Sequence, residues 1–91
     1  MGKDTYYFSH DYNARNDKKI GALVREYKSA GYGIFWAACE MMHEEGGELE
    51  IDDLTYSALS KDLNEDFDLI KRVIEDCIYK YKLFKVNELR L

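Results

Sequence analysis

The hydrophobic and polar positions fall into four stretches of helical spacing and four short extended ones. Ile20, Leu23, Val24 and Tyr27 recur at helical intervals behind Asp17, a residue suited to an N-cap, and predict a short helix that ends at Ser29-Ala30-Gly31. From Tyr32 to Glu45 a second helix carries Ile34, Phe35, Trp36, Ala38, Cys39, Met41, Met42 and His43 around most of its circumference. Only Ala37, Glu40 and Glu44 remain as a polar stripe, so the helix is expected at the centre of the core. Gly46-Gly47 stops it. Glu48-Leu49-Glu50-Ile51 alternates as a half-buried strand does. Asp52 or Asp53 then caps a helix bearing Leu54, Ala58, Leu59 and Leu63, and Asn64 to Asp66 makes a tight connection. Phe67, Ile70, Ile74, Cys77, Ile78 and Tyr81 line one face of the clearest helix in the chain. Residues 83–86 and 89–91 read as two strands of a hairpin joined at Asn87-Glu88.

From residue 32 the order is helix, strand, helix, turn, helix, hairpin. This is the element order of a winged helix-turn-helix domain, with the hairpin as the wing. The expected fold class is therefore mainly α with a small β-sheet (α+β). One domain spans residues 1–91, made of an N-terminal arm over 1–17 and a helical core with its wing over 18–91. The arm opens on Thr5-Tyr6-Tyr7-Phe8, aromatic and extended, and continues through the polar residues 9–17, which favour turns.

Composition narrows the functional classes. A chain of 91 residues has few apolar side chains to share between a core and a deep substrate cavity, which argues for a non-enzymatic domain. No apolar run approaches a membrane span or a signal peptide, so a cytoplasmic protein without membrane contact is expected. Cys39 and Cys77 lie on apolar helix faces and are expected to be reduced and buried. The net charge of −5 is uneven: residues 1–30 carry +2, residues 31–70 carry −10 and residues 71–91 carry +3. A polyanion would be repelled by the middle and weakly attracted by the ends.

Two motifs carry a family resemblance. They are the run Tyr7-Phe8-Ser9-His10-Asp11-Tyr12-Asn13-Ala14-Arg15-Asn16-Asp17 followed by Lys19-Ile20, and Gly31-Tyr32-Gly33-Ile34-Phe35-Trp36 with Glu40-Met41. From about residue 5 onward the chain resembles the Lin-type N-terminal domain of phage and anaerobe proteins, a family associated with DnaD-like replication modules. The resemblance implies a winged-helix-like N-terminal domain in a replication-initiation or phage DNA-metabolism protein, one that continues past the wing and does its chemistry, if any, elsewhere.

Two classes of function follow. In the first, double-stranded DNA is held weakly and without sequence preference by the basic ends, with Arg15, Lys18, Lys19, Lys71, Arg72, Lys80, Lys82, Lys85 and Arg90 as candidate contacts. Base readout by the 67–81 helix is disfavoured, because Asp68, Glu75 and Asp76 share its outer face with Arg72 and Tyr79. In the second, the domain binds a protein partner or a second copy through Tyr6, Tyr7, Phe8 and Tyr12 of the arm and Leu69 and Tyr79 of the last helix, since aromatics are enriched at interfaces.

Catalytic and cofactor chemistry find little footing. Cys39, Glu40 and His43 share one helix but lack the further ligands that zinc or di-iron needs. His10 and Asp11 are adjacent, have no accompanying nucleophile, and read as structural hydrogen-bonders of the arm. Gly31 and Gly33 do not follow a strand, so they imply a helix crossing or a positive φ rather than a phosphate loop. No cofactor, metal or small-molecule substrate is expected.

Overall fold

A computed structural model describes residues 5–11 and 16–89. The elements are β1 (Thr5–His10), α1 (Asn16–Glu44), β2 (Glu48–Glu50), α2 (Asp53–Leu63), α3 (Phe67–Tyr79) and β3 (Phe84–Leu89). The chain is thus mainly helical with a three-stranded antiparallel sheet, ordered β2-β1-β3.

Of the expected arm, residues 5–10 form a strand of the sheet, and residues 1–4 and 12–15 lie outside the described residues. β1 is the central strand, with Phe8 opposite both Leu49 of β2 and Val86 of β3. Among the described residues the expected C-terminal hairpin is not made. Asn87 and Glu88, expected at its turn, are mid-strand in β3 and pair with Tyr7 and Tyr6 of β1. Asn-Glu lacks the glycine that a two-residue turn requires, and the long-range partner in β1 satisfies the backbone that the hairpin would have paired.

The local signals at the ends of α2, at the start of α3 and at Gly46-Gly47 hold, whereas Asp17, expected as an N-cap, lies within the first turn of α1. Asp52 caps α2 by accepting the Thr55 amide at 2.8 Å, and Asp66 caps α3 by accepting that of Leu69 at 3.3 Å. Asn64, at φ 54°, closes α2 in the left-handed conformation, which asparagine tolerates. Gly46 and Gly47 end α1 at φ 92° and 112°.

The first two expected helices form one continuous element with a kink, and the kink lies at Lys28 rather than at Ser29-Ala30-Gly31. Lys28 has φ 61° and ψ −150°, a region essentially restricted to glycine. Three hydrogen bonds to α3 and the residues after it hold the helix there. Tyr27 donates its hydroxyl to Asp76, while Glu26 accepts from Tyr81 and from Lys80, the latter at 2.7 Å. On the inner side of the bend the Cα of Gly31 lies so close to Tyr27 that a Cβ there would sit 2.5 Å from the Tyr27 Cβ. Lys28→Gly is expected to raise stability by about 1 kcal/mol, because backbone strain of this kind costs about 1–3 kcal/mol and glycine's greater unfolded-state freedom offsets part of the gain. A urea melt with an unchanged or lower midpoint would remove the strain argument.

The core lies between the sheet and the helices. Phe84 stacks on Phe35 at 5.3 Å with rings 9° apart, and Phe8 joins it at 5.3 Å. Ile70, Ile74, Cys77 and Ile78 of α3 are buried, as the helical spacing predicts, as is Tyr81 just past its end; Phe67 is half-buried, and Val73 joins the buried face. Five side-chain assignments are corrected by the fold, among them Ala58, which is exposed on α2. Trp36 and His43 of α1 face solvent, and the buried face is Ile34, Phe35, Ala38 and Met42. In α2 the buried residues are Tyr56 and Leu59, whereas Leu54 is 80% exposed. Leu69, expected on the outer side of α3, packs half-buried against the core.

Candidate binding surfaces

The structure gathers part of the predicted basic set at one corner. Lys18 and Lys19 open α1, and Lys19 donates through Nζ to the Lys82 carbonyl at 3.3 Å, bridging the start of α1 to the loop after α3. That loop is set by Tyr81 N bonding the Asp76 carbonyl at 2.7 Å and Leu83 N bonding that of Cys77 at 2.8 Å, with Lys82 at φ 58° between them. Lysines in the first turn of a helix oppose the helix dipole, so they add to the positive potential there instead of being neutralised by it. Asp17 is the acidic neighbour in that turn.

The remaining cations are dispersed or engaged. Lys80 is paired with Glu26, whose carboxyl is held below its ordinary pKa by the Lys80 hydrogen bond first and the Tyr81 hydroxyl second. Arg72 is near enough to Glu26 to add to that effect. Lys71 is exposed on α3, and Lys85 lies in register with Ser9 on the sheet. Arg15 and Arg90 lie outside the described residues.

The start of α3, the end that enters the groove in a DNA-reading helix, is acidic. Asp62, Glu65, Asp66 and Asp68 lie along it and the preceding turn, with Lys61 the one cation in residues 31–70. Beyond them Lys71, Arg72 and Tyr79 are exposed, Tyr79 at 63%. Carboxylates at that end oppose phosphate approach.

The aromatic interaction set divides. Tyr6 and Tyr79 are exposed and Tyr7 is half-buried, whereas Phe8 is fully buried and is a core residue. Tyr12 lies outside the described residues. Trp36, which the helical reading places on the apolar face, is instead on the surface beside Tyr32: the two are 46% and 45% exposed, with rings edge to face at 6.1 Å.

The model of the Lin1244/Lin1753-like, N-terminal family matches residues 7–90. The chain belongs to that family. No curated protein and no solved structure is significantly similar to it. Within this Lin1244/Lin1753-like domain the first matched motif supplies Phe8 and His10, and the second supplies Gly31, Phe35 and Trp36. His10 packs on Phe35 and Phe84 at 6.3 and 6.5 Å, so the motifs meet in one aromatic cluster.

The chemistry open to the side chains is limited. Burial pushes the Cys39 thiol up to about 11 and that of Cys77 up to about 12, which leaves both protonated and poorly nucleophilic at neutral pH. Among the described residues no three His, Cys, Asp or Glu side chains gather as a metal site, and no helix is long and apolar enough to cross a membrane.

Three tyrosines make the domain sensitive to alkali. Desolvation comes first for each, raising Tyr56 to about 12 and holding Tyr27 and Tyr81 well above the usual 10.0, with the Asp76 and Glu26 hydrogen bonds adding for the latter two. Each is harder to ionise folded than unfolded. The stability they contribute is therefore complete below pH 10 and lost as pH climbs toward the folded values. In a titration of phenolate absorbance these three are expected to ionise only together with loss of the circular dichroism signal. Full ionisation with the fold intact would contradict their burial.

Proposed function

We propose that this domain is a non-catalytic binding module of a DNA-replication or phage-type DNA-metabolism protein, contacting duplex DNA weakly and without base readout. The observation that carries this reading is the cationic corner where Lys19 meets Lys82 beside Lys18. The acidic start of α3 supports backbone contact over groove reading. α2 and α3, joined through residues 64–66, stand as the helix-turn-helix of this reading, which uses no wing hairpin. In this reading the lysine corner meets phosphate while the acidic surface stays turned away.

With about three phosphates engaged, affinity falls roughly 40-fold between about 50 and about 200 mM salt, and the same titration on unrelated duplexes gives the same curve. Fluorescence anisotropy of a labelled duplex tests this. Lys18→Glu with Lys19→Glu and Lys82→Glu is expected to abolish binding. A triple variant that binds as well as the parent, or a strong preference among duplex sequences, would reject the reading.

A second reading, of a protein-interaction module, is favoured by a separate observation. Two large aromatic side chains, Tyr32 and Trp36, stand on the surface of α1 and not in the core.

A further inference from the structure

The Tyr32–Trp36 pair lies on a surface whose charge differs from that of the lysine corner. Residues 29–60 contain no Lys or Arg and seven acids: Glu40, Glu44, Glu45, Glu48, Glu50, Asp52 and Asp53. On α1 the two kinds of group share one face. Tyr32, Trp36 and Glu40 follow each other at four-residue steps, His43 and Glu44 continue the row, and all five are exposed. Trp36, Cys39, Glu40, His43 and Glu44 line a shallow concavity there.

The arrangement is held in place. The indole of Trp36 packs edge to face on the buried Phe35 ring at 5.3 Å and on Tyr32 at 6.1 Å, which fixes its orientation while leaving nearly half its surface open. The nearest cation of the same helix does not compete for it. Lys28 is turned back to donate to the Arg25 carbonyl at 3.1 Å, and the kink at Lys28 breaks the spacing that would set it over Tyr32.

We propose that this face of α1 docks a Lys- or Arg-bearing segment of a partner protein, with a cationic side chain over the Trp36 ring and its charge met by Glu40 and Glu44. Charge complementarity selects the occupant. DNA and anionic membranes are repelled by the carboxylates, and a purely apolar partner would leave them desolvated without a counter-charge. An arginine satisfies both halves of the surface, since its guanidinium stacks on the indole and bonds a carboxylate at its edge. This face and its test are independent of the lysine corner.

Trp36 is the single tryptophan of the chain, so its own fluorescence reports occupancy. The test titrates the protein with a peptide of alternating arginine and alanine, and with its glutamate-alanine counterpart. A saturable change in Trp36 emission is expected with the arginine peptide only. In anisotropy of the labelled arginine peptide, Glu40→Lys with Glu44→Lys is expected to remove binding. Trp36→Ala is expected to weaken it between about 2- and 30-fold, the range of a cation–π contact. Both variants change exposed positions, and circular dichroism checks that they fold. The proposal is overturned by an absence of saturable change, by equal binding of the glutamate peptide, or by binding indifferent to the Glu40/Glu44 reversal. A shift of Trp36 emission with protein concentration alone would make a second copy the occupant, and a shift on adding duplex would make it DNA. Either result also rejects the assignment.

Discussion

Phe8→Ala is expected to cost about 3–5 kcal/mol, the range for truncating a buried phenylalanine. That is a large share of the roughly 5–15 kcal/mol available to a small domain, and it lowers the melting temperature by well over 10 °C. The reason is position. Phe8 is fully buried in the central strand, packs on Phe84, and faces Leu49 and Val86 on the two neighbouring strands. Tyr6→Ala serves as the comparison, because Tyr6 is close by in the same strand but 45% exposed, and it should cost far less. If Phe8 belonged to a surface arm, the two substitutions would be alike and both mild. Thermal denaturation followed by circular dichroism separates these outcomes.

Gly31→Ala carries the second large effect and has the opposite sign from the usual helix rule. In an ordinary helix interior, alanine is more stable than glycine by about 1 kcal/mol. Here the added Cβ lands 2.5 Å from the Cβ of Tyr27 and 3.4 Å from Leu23 Cδ1. A Cβ is fixed to the backbone, so relief requires opening the bend, and Tyr27 and Glu26 tie that bend to Asp76, Lys80 and Tyr81. Overpacking of this kind costs about 1–3 kcal/mol, and the loss of those hydrogen bonds places the expected value near the upper end. Gly33→Ala is the control, since its Cβ would meet nothing within 4 Å. It should be neutral or slightly stabilising. Equal melting temperatures for the two variants would contradict the bend.

Local chemistry made the helices legible and left the sheet obscure. Asp52, Asp66, Asn64 and the Gly46-Gly47 pair act as caps and stops within a few residues of their own backbone, so their roles can be read without a tertiary structure. The run from Phe67 to Tyr81 has a single dominant face for the same reason. The partner of Asn87, by contrast, is Tyr7, far away in sequence: the missing glycine at Asn87-Glu88 speaks against a tight turn, but no local pattern names the strand that pairs there instead. Lys28 was equally hidden, because a lysine gives no sign of a positive φ. Gly31 was visible as a break, and its cause, the approach of Tyr27, was not.

The candidate sites show a similar division. Trp36 was read as core because the residues around it are apolar. Counted at 100° per residue, however, Ile34, Phe35, Ala38 and Met42 cluster on one side of α1, and Tyr32, Trp36, Glu40 and His43 fall on the opposite one. The signal was therefore present in the spacing and masked by hydrophobicity. The link between Lys19 and Lys82 joins residues from two distant segments, and charge blocks along the sequence gave only the sign of each end.

The proposed DNA contact has phosphate meeting the lysine corner and not the outer face of α3. An NMR titration of the ¹⁵N-labelled domain with a short duplex at low salt tests it most directly. Amide shifts should concentrate at Lys18, Lys19 and Lys82, with the residues from Asp68 to Glu75 unmoved. Shifts centred on that stretch of α3 would contradict the account.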